Sequence, residues 1–334
     1  LRGSTWQRGG PVTLCRHTVG VVLLLAAAAL WSLNGALIKL TSNHGEGPTA
    51  VAIAFYRSLL AGLVILPLTR GRWHTLLRRP AVPAPGRRHG KDSVWSRWRR
   101  GLATVSGVRP AVVCCVVFFT LMTVLFVVAN TRTGAANVII LQYTSTFWIF
   151  GLSPWLLGEH PQRSDLWILV LAMVGVGIIF AGNASSELGG LTIALASGFF
   201  FGLLSLMIRR MRDSDSAAVT VCNCLGSALL LFPITLLLGG LHIEPRAWPP
   251  LAALGVIQFG IPYYLYTVGL SRVRAYQAAL ITLLEPVLNP VWTYLAVGET
   301  FGWSTAAGGG LVLVALVVFL VKRVPSSESL VPSA

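Results

Sequence analysis

The sequence predicts an all-α integral membrane protein with ten transmembrane helices, arranged as two inverted five-helix repeats. Three observations support this prediction: an apolar composition, ten apolar runs near membrane-spanning length, and an internal repeat. Of the 334 residues, 54% are hydrophobic and only 11% are charged, whereas a soluble domain carries about 25% charged residues. The mean hydropathy of +0.72 leaves little room for a soluble domain.

The apolar runs define the predicted elements. A helix that crosses the hydrocarbon core needs about 20 mostly apolar residues. The runs that we assign as spans 1 to 10 are residues 19–39, 48–69, 110–130, 135–157, 166–181, 191–211, 217–239, 250–270, 276–297 and 305–322.

Positive charge is concentrated in the tails and in alternate loops. The chain has a formal net charge of +15, with 26 Lys and Arg residues. Both tails and the loops after spans 2, 4, 6 and 8 hold 22 of these, whereas the opposite loops hold only Arg132 and Arg246. The positive-inside rule then places both termini in the cytoplasm of a multi-pass protein of the inner membrane. Topology and attraction to anionic membrane lipids account for the basic excess, so we expect no nucleic-acid partner.

One loop, residues 70–109, carries eleven of the basic residues. Within it Trp95, Trp98, Leu102 and Val105 fall at helical spacing, with arginines between them. This pattern is typical of a short amphipathic helix on the cytoplasmic membrane surface. A disordered basic linker is the alternative, which the prolines at 80–85 favour.

The chain repeats itself. At an offset of about 140 residues, Leu-Gly-Glu at 157–159 aligns with Val-Gly-Glu at 297–299. Upstream of the basic loop the offset grows to about 167, a difference that matches the excess length of that loop. Five spans is an odd number, so the second copy must enter the membrane upside down, an arrangement typical of secondary transporters. We therefore divide the chain into a cytoplasmic segment 1–16, a first repeat 17–183, a second repeat 184–323 and a cytoplasmic tail 324–334.

Three segments carry a family resemblance. Span 2 contains Ala-Phe-Tyr-Arg-Ser-Leu-Leu-Ala at 54–61, span 4 runs from Gln-Tyr-Thr-Ser at 142–145 to Gly-Glu at 158–159, and span 9 runs from Leu-Glu-Pro-Val at 284–287 to Gly-Glu at 298–299. The chain resembles the drug/metabolite transporter superfamily, EamA type. One departure is Thr146, where the family often has proline, and this predicts a straighter span 4 than span 9.

The resemblance implies a central cavity between the repeats, built from spans 3, 4, 8 and 9 with help from 1, 2, 6 and 7. The sequence itself supplies polar and aromatic side chains at those depths. Our candidate substrate-binding or coupling residues are Glu285, Arg57, Tyr263, Tyr266, Gln258, Gln142, Tyr143, Asn34, Trp31, Asn289 and Trp292. We expect no catalytic residue, no metal site and no cofactor.

Glu285 is the most informative candidate, because an ionisable group at membrane depth is costly unless it faces protein or water. Pro286 and Pro290 break or bend the helix around it, which is tolerated where a helix packs on protein or lines a cavity. Glu285 has three interpretations. It forms a structural ion pair with Arg57, it exchanges a proton, or it binds a substrate amino group.

Arg57 pairs with Glu285 or with backbone carbonyls in one interpretation, and binds a substrate carboxylate in the other. Tyr263 and Tyr266 lie three residues apart and share a helix face, so they could form an aromatic wall. Tyr264 is expected to face elsewhere. Glycines at 175, 177 and 308–310 favour close helix packing, either within the chain or in a homodimer.

Rival classes lack their motifs. The Gly86–Lys91 stretch does not have the phosphate-loop spacing of an ATP-driven pump. Neither His-Glu-x-x-His nor Gly-x-Ser-x-Gly occurs, which argues against an enzyme, and the few intramembrane charges form no polar rings of a channel. We predict a secondary transporter of small metabolites that works by alternating access and exports amino acids or related metabolites. Uptake or exchange of a cationic or nucleobase-like solute is the alternative, and proton coupling stays open.

Overall fold

The computed structural model describes residues 11–42, 48–69, 71–73, 76, 110–132, 135–182, 188–238, 240–297 and 303–322. Within these ranges all regular structure is helical. The α-helices are α1 (Pro11–Trp31), α2 (Asn34–Ser42), α3 (Ala50–Ile65), α4 (Pro110–Arg132), α5 (Ala135–Gln142), α6 (Ser145–Leu156), α7 (Arg163–Gly182), α8 (Leu188–Arg210), α9 (Ser216–Leu237), α10 (Trp248–Gly255), α11 (Ile261–Leu270), α12 (Ala275–Ile281), α13 (Leu284–Val297) and α14 (Trp303–Val321).

The all-α membrane fold is confirmed. In the described part of the chain, seven helical stretches are long and apolar enough to cross a membrane: Arg16–Ile38, Ala50–Thr69, Pro110–Asn130, Gly189–Arg210, Ser216–Leu237, Pro245–Leu270 and Ala275–Ala296. A shorter apolar stretch covers Ala306–Phe319. Large apolar side chains also remain exposed, as lipid contact requires, and Trp155, Trp167 and Trp303 lie near helix ends, where tryptophan favours the membrane interface.

Three predicted runs are interrupted rather than continuous. Breaks separate α1 from α2, α5 from α6, and α12 from α13. Each break carries a hydroxyl side chain that donates to the carbonyl three residues back: Ser32 to Ala29 (2.6 Å), Thr144 to Leu141 (2.7 Å) and Thr282 to Ala279 (3.1 Å). Such local hydrogen bonds compete with the helical pattern.

The expectation of a straighter span 4 is wrong. The chain breaks at Tyr143–Thr144 without a proline, at nearly the same repeat offset as the break at Thr282–Leu283. Gly198 of α8 makes the close approach feasible, since a Cβ there would lie 2.7 Å from Leu141 O. The break therefore comes from a threonine and a neighbouring glycine.

A π-helical turn at Val256–Gly260 joins α10 to α11. The Ile261 N–H donates to Val256 O, five residues back, and Pro262 has no N–H to continue the normal ladder. A Cβ on Gly260 would lie 3.0 Å from Ala61 Cα, so the turn packs tightly on α3.

The helices associate in long pairs. α4 packs along α8, α7 along α14, α3 along α9, and α1 along α11. The buried apolar residues form one main cluster that runs through these pairs. A Cβ on Gly175 of α7 would lie 2.6 Å from Gly308 O of α14, whereas a Cβ on Gly177 or Gly310 would have no described atom within 4 Å. The predicted surface helix at 95–105 and Glu299 lie outside the described residues.

Candidate substrate cavity

A small cavity of about 30 Å³ lies where the interrupted helices meet. Its lining residues come from both predicted repeats: Trp31, Asn34, Arg57, Met122, Thr123, Phe126, Gln142, Phe201, Gln258, Phe259, Tyr263 and Glu285. A water molecule needs roughly 10–15 Å³ of such volume. The cavity therefore admits only one or two waters beside its polar groups.

The helix breaks supply backbone carbonyls to the cavity region. Groups freed from a helical ladder need other partners when buried. Gln258 Nε2 donates to Trp31 O (3.3 Å), and Asn289 Nδ2 donates to Ser32 O (3.0 Å). The Tyr143 hydroxyl lies 2.8 Å from Thr282 O. Polar side chains from distant helices thus bind two of the three breaks, the one between α1 and α2 and the one between α12 and α13.

Glu285 is buried at the start of α13, with only 7% of its surface exposed. Its Oε2 lies 2.7 Å from the Tyr143 hydroxyl. Pro286 follows it and cannot donate an N–H to Thr282 O four residues back, so that carbonyl is open to Tyr143. The acid, the phenol and the break form one connected group.

Arg57 projects from α3 and is 4% exposed. Its guanidinium carbon lies 3.8 Å from the centre of the Phe259 ring and 6.0 Å from that of Phe126. These distances permit cation–π attraction. Nε and Nη1 are buried without a hydrogen-bond partner. Arg57 and Glu285 line the same cavity, but these two described residues form no ion pair.

Several acceptors of the cavity wall are likewise unsatisfied. Asn34 Oδ1, Thr123 Oγ1 and Gln258 Oε1 are buried and have no partner. The Gln258 amide is oriented by its Nε2 contact with Trp31 O, which turns its oxygen the other way. The wall therefore offers free donors on Arg57 and free acceptors on three other residues.

The aromatic candidates form a packed wall. The Trp31 ring centre lies 5.1 Å from that of Tyr263 and 5.0 Å from that of Tyr266. Tyr263 and Tyr266 share a face, as predicted, with centres 6.3 Å apart, and Tyr264 packs elsewhere, on the small cluster around Ile65. The Tyr266 hydroxyl donates to Ser205 Oγ at 2.7 Å.

The structure brings seven of the eleven candidates to the cavity wall: Trp31, Asn34, Arg57, Gln142, Gln258, Tyr263 and Glu285. Tyr143 and Tyr266 lie behind them. Asn289 and Trp292 instead bind Ser32 at the α1–α2 break. Sequence reasoning missed the apolar lining residues, which carry no signal that distinguishes them from core positions: Met122, Phe126, Phe201 and Phe259.

A second polar cluster lies at the helix ends away from the cavity. Arg209 Nε donates to Glu159 Oε1 at 2.7 Å, and both side chains are about nine-tenths buried. Arg209 Nη1 also donates to Leu270 O (3.1 Å), and the Ala275 N–H donates to Glu159 Oε2 (2.9 Å). This cluster ties the ends of α6 and α8 to the α11–α12 connection.

Comparison with known proteins decides the family. The EamA-like transporter family model matches residues 18–181 and 188–321. The chain belongs to the EamA-like transporter family. It is therefore a multi-pass membrane protein of the drug/metabolite transporter type, and its named EamA relatives are transporters rather than enzymes.

The relatives of this EamA protein are distant. It is 25% identical to the uncharacterized transporter YwfM of Bacillus subtilis, covering 89% of this chain and 92% of YwfM. It is 26% identical to the pseudopaline exporter CntI of Pseudomonas aeruginosa, covering 89% and 94%. A solved structure, titled only as that of a protein, shares the fold with a TM-score of 0.67 at 20% identity, over 92% of this chain and all of the other.

Proposed function

We propose that this protein is a secondary active transporter of small metabolites, which works by alternating access and exports amino acids or related metabolites across the inner membrane. The observation that carries the proposal is the cavity wall, where a buried guanidinium without hydrogen-bond partners on Nε and Nη1 faces the same space as a buried carboxyl group and several free acceptors. Leaving buried polar groups unsatisfied costs about 1–3 kcal/mol each, so a matching ligand would be bound tightly.

The substrate class follows from the donors and acceptors. Arg57 offers N–H groups to an anion, while Asn34 Oδ1 and Gln258 Oε1 require donors. A carboxylate only accepts hydrogen bonds, and an ammonium group only donates them. A molecule that carries both groups, as an amino acid does, satisfies the whole set. The related CntI, named for pseudopaline export, supports export as the direction.

Ten spans in two inverted repeats belong to this proposal, and the helix packing supports them. Span 3 packs on span 6, span 1 on span 8, span 5 on span 10, and span 2 on span 7. If each span is replaced by its counterpart in the other half, the pair 3–6 becomes the pair 8–1. The pairs 5–10 and 2–7 are each mapped onto themselves. The family match also divides near the proposed boundary at 183–184. Such pseudo-twofold packing allows the halves to exchange conformations.

The cluster of Glu159 and Arg209 fits a closed gate. By the positive-inside assignment, the ends of spans 4, 6 and 8 lie on the cytoplasmic face. The ion pair joins those ends. Opening toward the cytoplasm would require this contact to separate.

Uptake or exchange of a cationic or nucleobase-like solute is the second candidate, supported by Glu285 and the aromatic wall of Trp31 and Tyr263. Arg57 weighs against a simple cation, because a guanidinium without an ion-pair partner among the described residues repels it in a narrow cavity.

The substrate class is testable by thermal stability of the purified protein, since a ligand that binds the folded state raises its melting temperature. We expect stabilisation by free amino acids, and little by their methyl esters, which lack the carboxylate, or their N-acetyl forms, which lack the ammonium. Arg57→Gln should weaken binding about 10- to 100-fold, from the loss of charged hydrogen bonds. Arg72→Gln is the control, because Arg72 is exposed and lies outside the cavity wall.

Counterflow in liposomes then tests transport itself. Saturable counterflow of the stabilising amino acid is expected, and its absence for every compound that binds would contradict the transport proposal. Glu285→Gln should impair transport. Normal transport by this variant at every pH would exclude both active roles of Glu285.

A further inference from the structure

The Tyr143 hydroxyl lies between two acceptors but has one hydrogen. Its oxygen is 2.7 Å from Glu285 Oε2 and 2.8 Å from Thr282 O, and a phenol donates only one hydrogen bond. If Glu285 is ionised, one of the two oxygens receives no hydrogen. If Glu285 is neutral, its own O–H donates to Tyr143 and Tyr143 donates to Thr282 O. Only the neutral acid satisfies both contacts in this conformation.

The carbonyl that receives this hydrogen bond marks a helix break. Thr282 O lies between α12 and α13 and accepts one further bond, from the Glu285 N–H at 3.0 Å. Pro286 cannot supply the usual donor from four residues on. Tyr143 lies at the other break, between α5 and α6, and is 2% exposed. The contact therefore joins the two corresponding breaks of the predicted repeats.

We propose that Tyr143 is a positioning residue that transmits the protonation state of Glu285 to the break between α12 and α13. In the neutral state its hydrogen holds Thr282 O. On ionisation, the proton of Glu285 leaves through the cavity to water, Tyr143 keeps its own hydrogen, and the hydroxyl rotates to donate to the carboxylate. Thr282 O then loses a partner and the break loosens. This inference deepens the proposed transport function and rests on it for its role in coupling.

The charged surroundings of Glu285 are few. Among the described side chains, Tyr143 at the α5–α6 break, Arg57 of α3 and Tyr263 of α11 act on it electrostatically. The other helices packed on α13 are α1, α2 and α14, and no further described titratable group from them acts on the carboxyl. Arg57 favours ionisation of Glu285 when no substrate anion engages it, so a substrate anion bound to Arg57 would favour the protonated acid.

The test uses the full-length protein and two phenylalanine variants. Tyr143→Phe keeps the ring and removes the hydroxyl. Tyr56→Phe is the matched control, because the Tyr56 hydroxyl also donates to a backbone carbonyl, Leu241 O, at 2.8 Å, but Tyr56 is not one of the residues that line the cavity with Glu285. A buried hydrogen bond of this kind is worth about 2- to 10-fold in an equilibrium.

Infrared spectra of the reconstituted protein monitor the protonation state of Glu285. Amide hydrogen exchange of residues 278–288 monitors the break between α12 and α13, after correction for the intrinsic effect of pH on exchange. In the wild type we expect a protonated-carboxyl band, absent in Glu285→Gln, that disappears as pH rises while exchange accelerates. Tyr143→Phe should shift the carboxyl band. At acid pH its residues 278–288 should exchange about 2- to 10-fold faster than those of the wild type, and this exchange rate should not rise further with pH. Glu285→Gln should stay protected at all pH values, and Tyr56→Phe should behave as the wild type.

A wild-type exchange response that survives in Tyr143→Phe would overturn the proposal, as would a band that Tyr143→Phe leaves unmoved. These measurements need no substrate, so they remain decisive even if counterflow fails and the transport function is rejected. With transport established, the pH profile of counterflow should flatten in Tyr143→Phe and be retained in Tyr56→Phe.

Discussion

Arg57 packs against aromatic rings and lines the same cavity as the carboxyl group of Glu285 without forming an ion pair with it. The sequence marks Arg57 and Glu285 clearly, because ionisable groups within apolar spans are rare. Their relation could not be read from spacing, since it depends on the π-helical turn that carries Phe259 to the guanidinium. Polar candidates were largely predictable, whereas the apolar residues that complete the wall were not.

Asn289 and Trp292 illustrate the same limit, because both were predicted for the cavity and both bind Ser32 instead. We expect Asn289→Leu to lower stability by about 1–3 kcal/mol, because Ser32 O at the α1–α2 break loses a donor in buried surroundings. Trp292→Phe removes the bond to Ser32 Oγ and should cost less, since that hydroxyl keeps its bond to Ala29 O. Thermal unfolding in one detergent measures both, and the reverse order would contradict this account.

The helices themselves were predicted better than their interruptions. Apolar length located the spans, but it does not reveal where a span divides. The prolines of span 9 predicted an interruption in that span alone. All three observed breaks instead share a Ser or Thr whose hydroxyl donates to the carbonyl three residues back. Many serines and threonines in uninterrupted helices also bond back to carbonyls, as Thr120 and Ser205 do. Tertiary contacts such as Gly198 against Leu141 O decide which positions break.

Two glycines of α7 allow a matched test of close helix packing. Gly175→Ala would place a Cβ 2.6 Å from Gly308 O, whereas the Cβ of Gly177→Ala would meet no atom of the described residues within 4 Å. We expect the first substitution to destabilise the protein by about 1–3 kcal/mol, as overpacking does. The second should stabilise it slightly, by up to about 1 kcal/mol, because Ala favours a helix interior over Gly. Thermal unfolding at high dilution in detergent provides the measurement. If Gly177→Ala also destabilises, and only at high protein concentration, Gly177 lies in a homodimer contact.

At the scale of the whole molecule, the charge distribution and the helix pairing are independent indications of one architecture. The basic residues predict which loops share a side, and the helix pairs map onto each other when the halves are exchanged. Short matching segments in the sequence predict two copies of one unit. They do not predict that α1 packs on α11 or α4 on α8, since those contacts would join different copies.

The membrane topology of the whole chain is testable by the side on which each terminus and the loop at 183–187 lie. Reporter domains fused before residue 11 and after residue 322 should both be active in the cytoplasm, and a reporter inserted at 183–187 should be active on the opposite side. The reason is the concentration of Lys and Arg in the tails and alternate loops. Opposite locations for the two terminal reporters would exclude an even number of spans.

The small volume of the cavity also has a kinetic consequence. Its volume of about 30 Å³ is too small for any metabolite, so a ligand reaches Arg57 only after the helices separate. When binding must wait for a conformational change, the observed association rate rises with ligand concentration and then levels off at the opening rate. That plateau, measured by rapid mixing, would give the rate at which the cavity widens before any solute crosses the membrane.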